Sequence, residues 1–142
     1  MDIFEALKKS HGVAGNKARS GQLKVVRDGQ SVTLPALQFD LGTNFLLMFA
    51  ALDASGRIVE TVGFIIKATD IGKEVHHPQN GSWIQALFNT VENIGTRGVI
   101  RVNEDVFGAT YYGTLNAEFT EPDATIRELK DGIFSFKYLR ES

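Results

Sequence analysis

The side chains able to do chemistry are few, and their spacing argues against most reactions. Histidine occurs at positions 11, 76 and 77, so His76-His77-Pro78 is the one cluster. Adjacent residues on a strand point to opposite faces, and no third ligand follows at metal spacing, so no metal site is expected. His11 stands alone in a polar stretch and reads as solvated. Glu118 and Glu121 are the nearest thing to an acid/base pair of carboxylates. Lying beside Pro122 and Asp123, they read instead as the polar end of a strand and a turn. Asp40, Asp53, Asp70 and Asp131 flank turns, where carboxylates accept backbone N–H groups. The absence of cysteine excludes disulfides, thiolate zinc sites and cysteine nucleophiles together. Neither a nucleophile elbow nor a phosphate-binding glycine loop is present. Asn80-Gly81-Ser82 fits a glycosylation acceptor, but it reads as a turn leading into a helix cap. No catalytic residue and no cofactor is expected, and the chain is read as not an enzyme.

The elements that must carry these residues are mostly strands. From Ala109 to Phe119 the chain alternates, with Ala109, Tyr111, Gly113, Leu115, Ala117 and Phe119 on one face. Thr110, Tyr112 and Thr114 lie on the other, and an exposed aromatic among threonines suits a subunit interface. Tyr111, Tyr112 and Trp83 could stack a sugar, but Tyr111 and Trp83 fall on expected inner faces. Asp131-Gly132 reads as a tight reversal ahead of a strand that puts Phe134, Phe136 and Tyr138 on one face. Asp28-Gly29 predicts a hairpin between 23–27 and 31–34, and Pro35 stops that pairing or marks a sheet edge. Leu37, Phe39 and Leu41 alternate as a further strand. The apolar run 44–52 fits either a doubly buried strand or a short buried helix, with pairing to 57–68 favouring the strand. Glu60 breaks the inner face of 57–68 near its start, at the sheet rim. Ser82 stands where an N-cap would, and Trp83, Ala86, Leu87, Val91 and Ile94 follow helical spacing before Gly95. That predicts a helix over 82–94 packed on the sheet, with Trp83, Leu87 and Val91 in the core. Asp2 to Lys9 predicts a short amphipathic helix with Ile3, Phe4 and Leu7 on one stripe. The expected architecture is mainly β: a β-sandwich or flattened barrel carrying one mid-chain helix and a short N-terminal helix. The expected core comprises Trp83, Leu87, Val91, Tyr111, Leu115, Phe119, Phe134, Phe136 and Tyr138.

With 142 residues the chain is expected to form one domain with a core that needs no staple. The stretch Met1-Asp2-Ile3-Phe4-Glu5 carries acid where a signal peptide carries base, and no apolar run approaches a membrane span. A soluble protein made in a cytoplasm is expected, without membrane insertion. Charge is uneven. Residues 1–30 hold six bases and three acids, a net of +3, against −5 for the remainder. Residues 10–22, rich in glycine and base, read as a flexible arm or loop. Such an arm on an acidic body is either a solvated surface or a head-to-tail contact between copies. The acidic body and the lack of interleaved aromatics argue against specific nucleic-acid binding.

Gly108-Ala109-Thr110-Tyr111-Tyr112-Gly113-Thr114-Leu115, with Phe119 and the closing strand Gly132-Ile133-Phe134-Ser135-Phe136-Lys137-Tyr138, resembles the C-terminal strands of bacteriophage tail proteins. The likeness spans residues 58–139 and points to the tail-tube and baseplate-tube family, with distal tail proteins as relatives. It implies a structural virion component made in the host cytoplasm. Copies would join edge to edge in a ring, commonly of six, around a lumen through which DNA passes without specific binding. Other tail or baseplate proteins would be its further partners. The candidate contacts between subunits are Lys8, Lys9, Lys17, Arg19, Lys73, His76, His77, Thr110, Tyr112 and Thr114. The alternative from another functional class is a monomeric β-sandwich that binds a carbohydrate or small ligand through Tyr112 and the 69–81 loop.

Overall fold

Strand alternation is what builds this molecule. In Thr110–Thr120, Tyr111, Gly113, Leu115, Ala117 and Phe119 are buried while Tyr112, Thr114 and Asn116 are exposed, the period of two expected there. The computed structural model describes residues 16–17, 20–41, 43–79, 81–88, 91–121 and 123–137. Its strands are β1 (Asn16–Lys17), β2 (Ser20–Arg27), β3 (Gln30–Leu41), β4 (Asn44–Leu52), β5 (Ile58–Lys67), β6 (Glu74–His77), β7 (Trp83–Phe88), β8 (Val91–Asp105), β9 (Thr110–Thr120) and β10 (Ile126–Lys137). Among the described residues the one helical element is a 3-10 turn, Ala68–Asp70. None of the described helix is long and apolar enough to cross a membrane.

Each long strand pairs antiparallel with the next, and β10 returns to β2, closing an eight-strand barrel of β2, β3, β4, β5, β7, β8, β9 and β10. Of the two architectures expected, the described residues form a closed barrel. The small β6 lies against β8, and β1 lies along β3. Residues 10–22, read as a flexible arm or loop, are in part strand: Asn16 and Lys17 pair with β3, and Ser20–Gln22 open β2 and pair with β10. The remainder of residues 10–15, together with 18–19, lies outside the described residues, as does the expected helix over 2–9.

Within the expected helix over 82–94, residues 83–88 are instead β7 and 91–94 the start of β8, with 89–90 outside the described residues. Helical spacing misled because both faces of β7 are shielded. Ile84 and Ala86 point inward, while Trp83 and Leu87 are half-buried on the outer side. Trp83 packs there against a second apolar cluster of Leu46, Met48, Ala50 and Ile65. That cluster also explains why 44–52 is continuously apolar although it is one strand of a barrel. Ser82 caps nothing; its hydroxyl meets His77. Gly95 is no helix terminus, since it gives room to Ile84, whose Cβ would stand 2.8 Å from a Cβ added at that glycine. Of the expected core, Trp83 and Leu87 thus belong to the outer wall. The side chain of Val91 and the whole of Tyr138 lie outside the described residues.

Asp131-Gly132 is not a reversal either. It is a bulge within β10, where the register slips by one residue between Leu129 and Gly132. Asp131 takes a left-handed φ of 54° and donates its N–H to Asn116 Oδ1 at 3.0 Å. The extra residue flips the parity of the strand, so that Leu129 and Phe134 both face inward. Asp28-Gly29 does form the expected two-residue turn, with φ of 49° and 86°. Pro35 ends the pairing of β3 with β2; from Ala36 onward β3 pairs with β4.

Aromatic rings fill the interior. Phe45 lies 4.8 Å from Tyr111 and Tyr111 5.5 Å from Phe136, centroid to centroid, while Phe134 sits 5.7 Å from both Phe49 and Phe64. One end is closed by charge. Arg27 pairs with Glu60, the acid that breaks the inner face of β5, and Arg127 binds Asp28 Oδ2 at 2.6 Å and Glu121 Oε1 at 2.8 Å.

Candidate functional site

Among the described residues, His77, Glu118 and Glu121 are occupied in structural bonds. His77 is buried, with Nε2 2.8 Å from the Gly95 carbonyl and Nδ1 2.9 Å from Ser82 Oγ. A carbonyl accepts and never donates, so Nε2 carries the proton and the Ser82 hydroxyl donates to Nδ1. With both nitrogens taken, this ring ties Ser82 to Gly95 and has no free ring nitrogen for a ligand. Its neighbour His76 points to solvent, 3.5 Å from Glu74. Glu118 receives Arg97 through two bonds of 2.6 and 2.8 Å, and Glu121 receives Arg127. These glutamates serve different arginines and do not act as a pair. The guanidinium of Arg97 holds the Glu118 carboxyl below the usual range, chiefly by hydrogen bonding. Among the described residues no group of three or more histidine, aspartate or glutamate side chains is placed to hold a metal.

What remains is a surface. Register across four strands sets two rows on the outer wall: Asn103, Tyr112, Ser135 and Gln22, then Arg101, Thr114, Ile133 and Lys24. Tyr112 is 46% exposed and Ile133 66%, and they sit diagonally to one another at the centre. All of these row residues except Arg101 line a shallow groove of about 490 Å³. Neither row contains a carboxylate, although the protein as a whole carries a net charge of −2. Arg101 donates to Asn103 Oδ1 at 3.4 Å and to the Gly72 carbonyl at 3.2 Å. Glu74, opposite Arg101 on β6, stands within ion-pair distance of His76. The wall therefore presents an apolar centre, amides and hydroxyls around it, and two cations.

A second groove of about 390 Å³ lies lower on the same side, lined in part by His76, Arg97, Asn116, Glu118 and Lys130. Its charges satisfy one another, Arg97 with Glu118 and Lys130 with Glu128 at 3.0 Å. It offers a ligand little that is unpaired.

Of the candidate contacts, Thr110, Tyr112 and Thr114 lie on the upper wall, with Thr110 spending its hydroxyl on the Gly108 carbonyl at 2.8 Å. Lys73 and His76 are exposed on the segment that borders the wall, and His77 is inside. Lys8, Lys9 and Arg19 lie outside the described residues, and Lys17 is placed by its backbone in β1. The spacing of β9 picked out Tyr112. Ile133, Lys24 and Arg101 were missed, because the supposed reversal at 131–132 hid how β10 joins β9 to β2.

No family model, curated protein or solved structure matches this chain.

Proposed function

We propose that this protein is a structural component that works by self-assembly, of the phage tail or baseplate kind implied by the likeness of residues 58–139. The outer wall around Tyr112 is its subunit contact. The observation that carries this reading is the exposure of Tyr112 and Ile133, diagonal to one another, in two four-strand rows that contain no carboxylate. Aromatic and aliphatic side chains held in the open on a polar rim are what a protein interface uses. Closure of the barrel bears on how copies meet. Each of its eight strands is paired on both sides, so contact between copies falls to walls and ends rather than to long open edges. Made in a host cell and built into a virion, such a protein would meet copies of itself and other tail parts, with DNA as a passing occupant of the ring. Sedimentation and negative-stain imaging test this. Concentration-dependent rings or larger bodies are expected, and Tyr112→Ala should shift them towards monomer. A chain that stays monomeric at high concentration, in the presence of its tail partners, removes the reading.

The second reading, a monomeric carbohydrate-binding module, draws on the same groove. The amides of Asn103 and Gln22 and the hydroxyls of Ser135 and Thr114 ring Tyr112, a set that suits sugar hydroxyls. Loss of glycan binding in Tyr112→Ala, in a protein that is monomeric throughout, would favour it.

A further inference from the structure

The hairpin that joins β8 to β9 ends in Val106-Phe107-Gly108-Ala109, and Phe107 is 97% exposed. A phenylalanine so placed is unusual, and its backbone is held firmly. Asp105 Oδ1 accepts the Gly108 N–H at 3.1 Å, the Thr110 hydroxyl donates to the Gly108 carbonyl, and the Ala109 N–H donates to the Val106 carbonyl. Val106 is 53% exposed beside it. Glu104 and Asp105 precede the tip, and no base occurs between Val102 and Thr110. The tip is thus a preorganised aromatic knob with an acidic collar, and ordering it on binding costs little.

We infer that this tip docks on the Tyr112–Ile133 wall of a second copy of the chain, an inference that rests on that wall being the assembly surface. The two surfaces complement each other in both apolar and electrostatic character. Phe107 and Val106 meet the exposed Tyr112 and Ile133, while the acidic residues beside the tip meet Lys24 and Arg101, the cations of the two four-strand rows; Glu74 on β6 stands opposite Arg101. The tip cannot reach its own wall. Thr110 starts β9 two residues before Tyr112, and the hairpin carries Phe107 past the rim, away from the groove. The same joint can be made reciprocally by two copies or passed on from copy to copy into a ring.

Sedimentation velocity on the full chain tests this with Phe107→Ser, Ile133→Glu and their equimolar mixture. Both side chains are largely exposed, and circular dichroism checks that each variant is folded. Wild type should associate, and each variant alone should be weakened by about tenfold or more, as for loss of a central aromatic or aliphatic anchor. The mixture should recover dimers, because Phe107→Ser keeps an intact wall and Ile133→Glu keeps an intact tip. If Phe107→Ser associates like wild type while Ile133→Glu does not, the tip is not the occupant, although the wall survives as the contact. Two monomeric variants that fail to rescue each other also overturn the inference. A monomeric wild type removes both it and the reading beneath it.

Discussion

Replacing Ile84 and Leu87 separately by alanine decides whether 83–88 is a strand with the parity described. Ile84 is fully buried, and its neighbours include Gly95 and Gly98, whose added Cβ atoms would each lie 2.8 Å from Ile84 atoms. Glycines have no side chain with which to fill the void, so Ile84→Ala should fall in the upper part of the range for such truncations, about 4 kcal/mol. Leu87 is half-buried on the outer side of the wall. Losing half of a leucine's burial, with no enclosed cavity left behind, costs about 1 kcal/mol. For 142 residues the unfolding entropy is roughly 0.3 kcal/mol/K. Ile84→Ala should therefore lower Tm by about 13 °C and Leu87→Ala by about 3 °C. Urea and thermal unfolding followed by far-UV circular dichroism measure both, and Trp83, the single tryptophan, supplies an independent fluorescence signal from the adjacent residue. A helical 82–94 would put Leu87 on the core stripe and reverse the order. Leu87→Ala costing as much as Ile84→Ala would sink the strand parity, and with it the row assignments on the wall.

Phe134→Ala should cost about 3–5 kcal/mol in urea unfolding, since its ring fills the space between Phe49 and Phe64; a loss under about 1 kcal/mol would mean an interior loose enough to hold a ligand. Because Arg97 depresses the folded-state pKa of Glu118, the pair stabilises the fold above the unfolded glutamate pKa of about 4.3, and that contribution disappears as pH falls through the lower folded value. Carboxyl NMR should show Glu118 titrating below the ordinary glutamate range, and moving up in Arg97→Gln; no movement would mean the bidentate bond does not persist in solution.

The β9 strand was legible because one face is core and the other water, which leaves a clean period of two. The Asp28-Gly29 turn was legible because its positive φ values demand those residue types. β7 was not, since a six-residue strand shielded on both sides has no alternation to display. Its side chains at 83, 86 and 87 mimic a helical stripe by coincidence of spacing. Asp131-Gly132 carries the same residue signal as Asp28-Gly29 and yet makes a bulge. Both need a left-handed backbone, and the letters do not say whether the chain then reverses or continues. That one ambiguity obscured the wall. Tyr112 could be marked as outward-facing from β9 alone, but its neighbours Ile133 and Ser135 follow from the paired register of β9 with β10, a long-range fact.

Ion pairing distinguishes the lower half of this wall from the upper. Below, Arg97 meets Glu118 and Lys130 meets Glu128, and around the barrel end Arg127 meets Asp28 and Glu121. Above, Lys24 and Arg101 form no ion pair with an acid among the described residues, and two large apolar side chains stand open between them. The isolated barrel gains only part of what Tyr112 and Ile133 could contribute, since about half of the one and two thirds of the other stay wet. Closing the sheet removed the long edges through which β-proteins most readily associate. Among the described residues, large apolar side chains stand exposed on this wall and at the hairpin tip, and singly at Ile94 and Ile126. If the proposed association runs through the wall and the tip, substitutions confined to the lower, internally paired half should leave it unchanged.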